Sequence, residues 1–289
     1  MADLRFAQIA VNGIKLHVAE AGPPDGRLIL LLHGFPEYWE SWRYYIDRLA
    51  AAGYHVVAPD QRGYNLSDKP AGVRAYDIDT LVADIAGLAS HFGRRRYTVI
   101  GHDWGALVAW WIATRHPEQL DQLAIMNAPH PCVWREAMRD NPEQRRRSWY
   151  VRVFRLPWLP ELLLRRRHFH VLAESISRRA RRGTVTPGEL DRYRAAWSQP
   201  GALTAMLNWY RAFVAKDLPA SADFRITTPV LLIWGERDPY GVRKLADDTL
   251  ALCDNAQAVY FKDATHWVQH DEPEGCAEAL LAFLERGPR

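Results

Sequence analysis

The chain has 289 residues, 48% hydrophobic and 25% charged, an ordinary globular composition that excludes disorder as its main state. Its formal net charge is +3, yet residues 131–218 hold 18 Arg or Lys against eight Asp or Glu, so a basic segment sits inside an otherwise acidic chain. No apolar run approaches the roughly 20 residues of a membrane span, Met1 to Asn12 has no secretory h-region, and three scattered cysteines (Cys132, Cys253, Cys276) read as reduced thiols of a cytoplasmic protein.

Taken in chain order, Phe6 to Val11 and Ile14 to Ala19 form a hairpin across Asn12-Gly13, a strong two-residue turn signal. Arg27 to Leu32 is a nearly continuous apolar run, as expected of a strand buried on both faces. A helix is predicted around Ser41 to Ala51 and a short strand over His55 to Pro59. Asp77 to Phe92 has helical spacing, with Ile78, Leu81, Val82, Ile85 and Leu88 on one side. Tyr97 to Gly101 (strand), Gly105 to Arg115 (helix) and Leu120 to Met126 (strand) follow. From about Pro131 to Leu218 the alternation stops, giving way to helical patterns rich in arginine. It resumes with Val230 to Trp234 (strand), Val242 to Leu252 (helix), Ala256 to Phe261 (strand) and Pro273 to Leu284 (helix). Alternation of this kind implies a mostly parallel sheet flanked by helices. The expected organisation is an α/β core made of 1–130 and 219–289, with a helical insertion at 131–218. The basic surface of that insertion lacks any nucleic-acid module signature. It reads as a solvated helical face, with a patch for an acidic partner as the other reading.

Ligands of open α/β sheets sit at the carboxyl ends of the strands, and four such ends carry chemistry. Gly101-His102-Asp103-Trp104-Gly105 has the form G-x-D-x-G, a strand–turn–helix nucleophile elbow with Asp in place of Ser. The helix dipole would favour an ionised Asp103, although read alone Asp103 could equally be a helix cap. His33-Gly34-Phe35-Pro36-Glu37 offers backbone N–H groups to an oxyanion, partnered by Trp104, and its Phe35-Pro36 bond is a candidate cis bond. Asp238 in Gly235-Glu236-Arg237-Asp238-Pro239 is a candidate to orient a histidine, with Glu236 the competing carboxylate and an ordinary turn the alternative. His266, after the last strand, is the candidate base. The chain order nucleophile, acid, histidine is the one expected for this fold.

With these residues in view the chain resembles α/β-hydrolase-fold epoxide hydrolases over nearly its whole length. The resemblance rests on His33-Gly34-Phe35-Pro36-Glu37, Gly63-Tyr64-Asn65-Leu66-Ser67-Asp68, Gly101-His102-Asp103-Trp104-Gly105 and Ala264-Thr265-His266-Trp267, where Thr265 replaces the glycine the family often has. It implies an α/β-hydrolase fold with a helical cap at 131–218, and two cap tyrosines that protonate the epoxide oxygen. Asn208-Trp209-Tyr210-Arg211 matches one such segment closely and Ser148-Trp149-Tyr150-Val151 the other more loosely, with Tyr193 and Tyr44-Tyr45 as competitors and plain packing as the alternative role. Haloalkane dehalogenases share the Asp nucleophile but usually carry Asn where Phe35 stands. Fluoroacetate dehalogenases place Arg where Trp104 stands.

The implied chemistry is addition of water to an epoxide through an ester on Asp103, with His266 neutral when it activates water and Asp238 holding its tautomer. Phe35 and Trp104 would supply the oxyanion hole. The aromatic supply (Phe35, Trp39, Trp104, Trp149, Phe154, Trp209, Trp267) suits an apolar pocket, with Phe35, Trp104, Trp149, Phe154 and Trp267 as candidate substrate contacts. The expected partner is a small-molecule epoxide, with no cofactor, metal or nucleic acid, in a monomer or homodimer. The alternatives are dehalogenation on the same Asp nucleophile and a non-catalytic binding protein of this fold.

Overall fold

The structure, a computed structural model, describes residues 3–181, 183–216 and 224–287. The hairpin β1 (Arg5–Val11) and β2 (Ile14–Ala21) turns on Asn12 and Gly13, both at positive φ. β3 (Leu28–Leu32) leads to α1 (Arg43–Ala51), β4 (His55–Pro59) and α2 (Ile78–His91). The predicted helix at Ser41 begins with a short 3-10 turn at Trp39–Trp42 before α1. Next come β5 (Tyr97–His102), α3 (Trp104–Arg115) and β6 (Leu120–Met126). Among the described residues six helices follow: α4 (Pro131–Asp140), α5 (Pro142–Arg147), α6 (Trp149–Phe154), α7 (Leu159–Ser177), α8 (Pro187–Trp197) and α9 (Ala202–Ala215). α7 is broken at Arg166–Phe169, where three residues in a row have positive φ. The core resumes with β7 (Val230–Gly235), α10 (Lys244–Leu250), β8 (Ala256–Phe261), α11 (Val268–Asp271) and α12 (Pro273–Glu285). The boundary expected at 218/219 lies outside the described residues.

The eight strands among the described residues form one sheet in the order β1-β2-β4-β3-β5-β6-β7-β8, antiparallel at β1/β2 and β2/β4 and parallel elsewhere. This is the α/β-hydrolase fold, with helices on both faces of a mostly parallel sheet. β3 shows why its five apolar residues form a central strand. Leu28, Leu30 and Leu32 join one core with Leu81, Ile85, Val108 and Ile112. Ile29 and Leu31 join the other, with Ile46, Leu49, Leu280 and Leu284. Successive side chains point to opposite faces, so a strand covered on both sides must be apolar throughout. Burying each Leu or Ile fully is worth about 1.5–3 kcal/mol. No helix among the described residues is long and apolar enough to cross a membrane.

Candidate active site

β5 ends at His102 and α3 begins at Trp104, leaving Asp103 alone at the corner with φ 48° and ψ −116°, a conformation L-residues rarely adopt. The corner needs its glycines for close approach. A Cβ on Gly105 would lie 2.1 Å from the Leu32 carbonyl oxygen, and one on Gly101 2.7 Å from the Ala106 Cα. Asp103 holds the N-cap position of α3, yet its side chain caps nothing. Instead Oδ1 accepts the Phe35 N–H at 2.8 Å. The helix-cap reading of Asp103 therefore does not describe its side chain.

The Phe35 amide is delivered by the loop after β3. The Phe35-Pro36 bond is cis, and Gly34 packs so tightly that a Cβ there would lie 2.4 Å from the Asp103 Cβ. His33 does not face the site. Its Nε2 accepts the Gln61 N–H at 3.1 Å, fixing the loop from behind.

His266 Nε2 stands 3.6 Å from Asp103 Oδ2, and its Nδ1 donates to Asp238 Oδ2 at 2.9 Å. Glu236, the competing carboxylate, is exposed and paired with Arg243 instead. Asp238 is held by three further donors: Asn127 Nδ2 at 2.8 Å, and the Tyr240 and Gly241 amides at 2.7 and 3.1 Å. Burial opposes its charge, but His266 and these hydrogen bonds keep its carboxyl below the ordinary range. Asp103 is held low in the same way, by His266 against burial. Burial pulls His266 down, and the two carboxylates outweigh it, raising its pKa to about 10. The free site therefore holds an imidazolium between two carboxylates at neutral pH. Thr265 finds its own partner, since its hydroxyl and N–H both donate to Asp271 Oδ2 at 2.6 and 2.7 Å.

Asp103, Asp238, His266, Tyr150 and Tyr210 line one cavity, with Trp104, Trp134, Val151, Phe213 and Leu245 among its apolar walls. Tyr150 comes from α6 and Tyr210 from α9, with ring centroids 6.1 Å apart. Burial first, then the negative charge of Asp103, pushes both phenols well above their usual pKa, so both stay protonated. The competitors lie elsewhere. Tyr193 donates to Glu37 at 3.1 Å, Tyr45 donates to the Gln269 carbonyl, and Tyr44 accepts from Arg48.

The expected aromatic contacts divide. Trp104 lines the cavity. Phe35 and Phe154 are not in its wall but pack on Tyr210, with centroids at 5.4 and 5.1 Å. Trp267 lies under the site, packed against His102 and His266, its indole donating to the Ser175 carbonyl. Trp149 is corrected outright: it is 64% exposed, because Tyr150, its neighbour on α6, takes the inward face. Trp39 packs on Phe6 and Tyr38, and Trp209 is buried with its indole donating to the Arg62 carbonyl. Neither borders the cavity.

Three parts of the arrangement escaped the sequence. Asn127 follows β6 directly, and that strand-end position was the available signal. Gln144 and Arg147 on α5 bind the loop after β7, Gln144 through the Tyr240 carbonyl and Val242 amide, Arg147 through the Asp238 and Gly241 carbonyls. Glu37 is fully buried among His270 (2.6 Å), Gln269 (3.0 Å), Tyr193 (3.1 Å) and His102 (3.2 Å), while His102 Nε2 donates to the His266 carbonyl at 2.9 Å.

A family model described as alpha/beta hydrolase fold matches residues 27–273. The Bacillus subtilis AB hydrolase superfamily protein YfhM is 46% identical, over 99% of both chains. Human epoxide hydrolase 4 is 36% identical over 98% of this chain and 79% of its own length. The solved structure of a Bacillus megaterium epoxide hydrolase in complex with an inhibitor is similar with a TM-score of 0.88, at 31% identity, covering 96% of this chain and 100% of that one.

Proposed function

The chain belongs to the family of α/β-hydrolase-fold epoxide hydrolases, and on that basis we propose that it converts an epoxide and water to a vicinal diol through an ester on Asp103. The observation that carries this reading is the meeting, in one apolar cavity, of a carboxylate, a histidine and two protonated tyrosines. A halide leaves without a proton, so a dehalogenase has no use for the tyrosine pair. We read α4–α9 as the cap and the protein as a cytoplasmic enzyme.

In the first step Asp103 Oδ2 attacks a ring carbon and the carbon–oxygen bond breaks. The departing oxygen takes a proton from Tyr150 or Tyr210, both of which act as donors because they rest protonated. Oδ1, already on the Phe35 N–H, becomes the ester carbonyl oxygen. With Asp103 neutral, the imidazolium loses one of its two carboxylates and its pKa falls. It can then return a proton to the tyrosinate, so the proton inventory closes inside the site. In the second step neutral His266 takes a proton from water as the water oxygen attacks the Asp103 Cγ. Asp238 stabilises the imidazolium. The oxyanion at Oδ1 rests on the Phe35 and Trp104 amides. Collapse expels the diol alkoxide, which takes its proton from His266, and the Asp103 carboxyl then passes its proton to His266, restoring the carboxylate and the imidazolium.

The cavity holds about 80 Å³, roughly half the 150 Å³ that accommodates benzene in an engineered core. A compact epoxide therefore fits within it. The test is to incubate the His266→Gln variant with styrene oxide and examine the peptide bearing Asp103 by mass spectrometry. An added mass equal to the epoxide is expected there, with diol formed by wild type and not by Asp103→Asn. An unmodified peptide, together with diol from Asp103→Asn, overturns the proposal.

A further inference from the structure

Nine large hydrophobic residues are exposed among the described residues, and six of them fall within 149–171: Trp149, Leu156, Trp158, Leu162, Leu163 and Val171. Trp158 is 70% exposed and Leu162 51%. Large apolar side chains concentrated on one short stretch mark an interaction surface and not ordinary scatter. Interleaved with them are Arg152, Arg155, Arg165, Arg166 and Arg167, all exposed, against one acid, Glu161, which is taken up by Arg211 at 2.9 Å.

Elsewhere in the inserted segment five arginines meet carboxylates: Arg147 with Glu143, Arg178 with Glu174, Arg181 with Glu272, Arg192 with Glu40, Arg194 with Asp191. Among the described residues no carboxylate pairs with the five arginines of 152–167. The run of arginines has an abrupt far end, since the left-handed residues Arg167–Phe169 turn the chain and bring Phe169 back into the core beside Trp197. Next to it runs an open groove whose wall joins Val73, Pro157 and Trp158 to Arg155 and Arg165.

We propose that this face seats the enzyme on an anionic lipid surface, with Trp158, Leu162 and Leu163 dipping into the headgroup region and the unpaired arginines on lipid phosphates. The chemistry favours a bilayer over an acidic protein. Exposed tryptophan and leucine, interleaved with exposed arginines, is the pattern of an interfacial, non-spanning attachment, and the cationic excess complements an anionic leaflet. The face also carries meaning for the site. α6, whose Tyr150 lines the cavity, carries exposed Trp149 and Arg152 and leads directly into this stretch. An apolar epoxide dissolved in lipid would reach the enzyme at that face.

The test is sedimentation of the purified enzyme with vesicles of phosphatidylglycerol and phosphatidylcholine, equimolar, against vesicles of phosphatidylcholine alone. Each basic residue near an anionic surface contributes about fivefold, so partitioning onto the mixed vesicles should exceed that onto the neutral ones by at least tenfold and fall steeply with salt. The triple variant Trp158→Ser, Leu162→Ser, Leu163→Ser should lose at least tenfold in binding with turnover of a water-soluble epoxide unchanged. Arg165→Gln, Arg166→Gln, Arg167→Gln should remove most of the preference for anionic lipid. Absence of binding by wild type overturns the proposal, as does undiminished binding by the triple variant. A wild-type dimer in sedimentation velocity that the same variant dissolves, without vesicle binding, would make the face a contact between copies and equally overturn it.

Discussion

The charge state of His266 is the point at which the geometry makes its most demanding claim. The imidazole lies between Asp238 at 2.9 Å and Asp103 at 3.6 Å, with its pKa raised to about 10. Replacing Asp103 by Asn keeps the shape and an oxygen for the Phe35 N–H but removes one charge. At an effective dielectric constant of about 20, a unit charge at this separation is worth about 4–5 kcal/mol, or roughly three pKa units. Loss of a negative neighbour disfavours the imidazolium, so the pKa should fall to about 7. The assay is an NMR titration of the ring Cε1–H with labelled histidine, the His266 signal assigned by its absence in His266→Gln. A midpoint within half a unit of wild type would refute the reasoning, as would a wild-type midpoint already below 7. The Asn variant imitates the charge of the ester, so the same fall is what makes His266 a base in the second step.

Other outcomes follow from the same site. The ester-forming step, followed as single-turnover quenching of tryptophan fluorescence, should stay level from about pH 5 to 9, because Asp103 is held below and both tyrosines above their ordinary values. An alkaline fall near pH 8 that vanishes in Tyr210→Phe would show a phenol ionising far too early. Asn127→Ala removes the 2.8 Å donor to Asp238. A hydrogen bond to a charged group contributes about 1.5–3 kcal/mol, so ester hydrolysis should slow about 10- to 100-fold and the ester accumulate, whereas unchanged hydrolysis would deny Asn127 a positioning role. Glu37→Gln should destabilise the fold by about 3 kcal/mol, in the range for breaking a buried pair, as read by urea unfolding. The deficit should be greatest between about pH 4.5 and 6.5. Burial works against both charges, but Glu37 is held below 4.5 by its histidines, so its share fades as pH falls through that lowered value. His270 is held above 6.5 by Glu37, so its share fades as pH rises through that raised value. A deficit that does not vary with pH would contradict the pairing. Gly34→Ala would press its new carbon against Asp103, 2.4 Å away, and should abolish turnover even if the protein melts close to wild type.

Much of the molecule is legible in the amino-acid sequence by itself. β4, β6 and β8 end where the apolar runs end, and the hairpin turns on Asn12-Gly13, because strand burial and turn chemistry are properties of a few adjacent residues. The strand–turn–helix at Gly101 to Gly105 is likewise local, since two glycines and a tight corner dictate where Asp103 must point. What only the tertiary structure decides involves partners far apart in the chain. Asp238 and not Glu236 meets His266, Tyr193 is spent on Glu37 while Tyr150 and Tyr210 reach the cavity, and Trp149 faces outward. In each case neighbouring residues of similar type compete, and the rotation of a helix or loop against elements distant in the chain decides between them. The charge on His266 belongs to the same class. In the sequence it is an imidazole like any other, and only the approach of two carboxylates from separate strand ends, in a buried site where their field is weakly screened, makes it a cation.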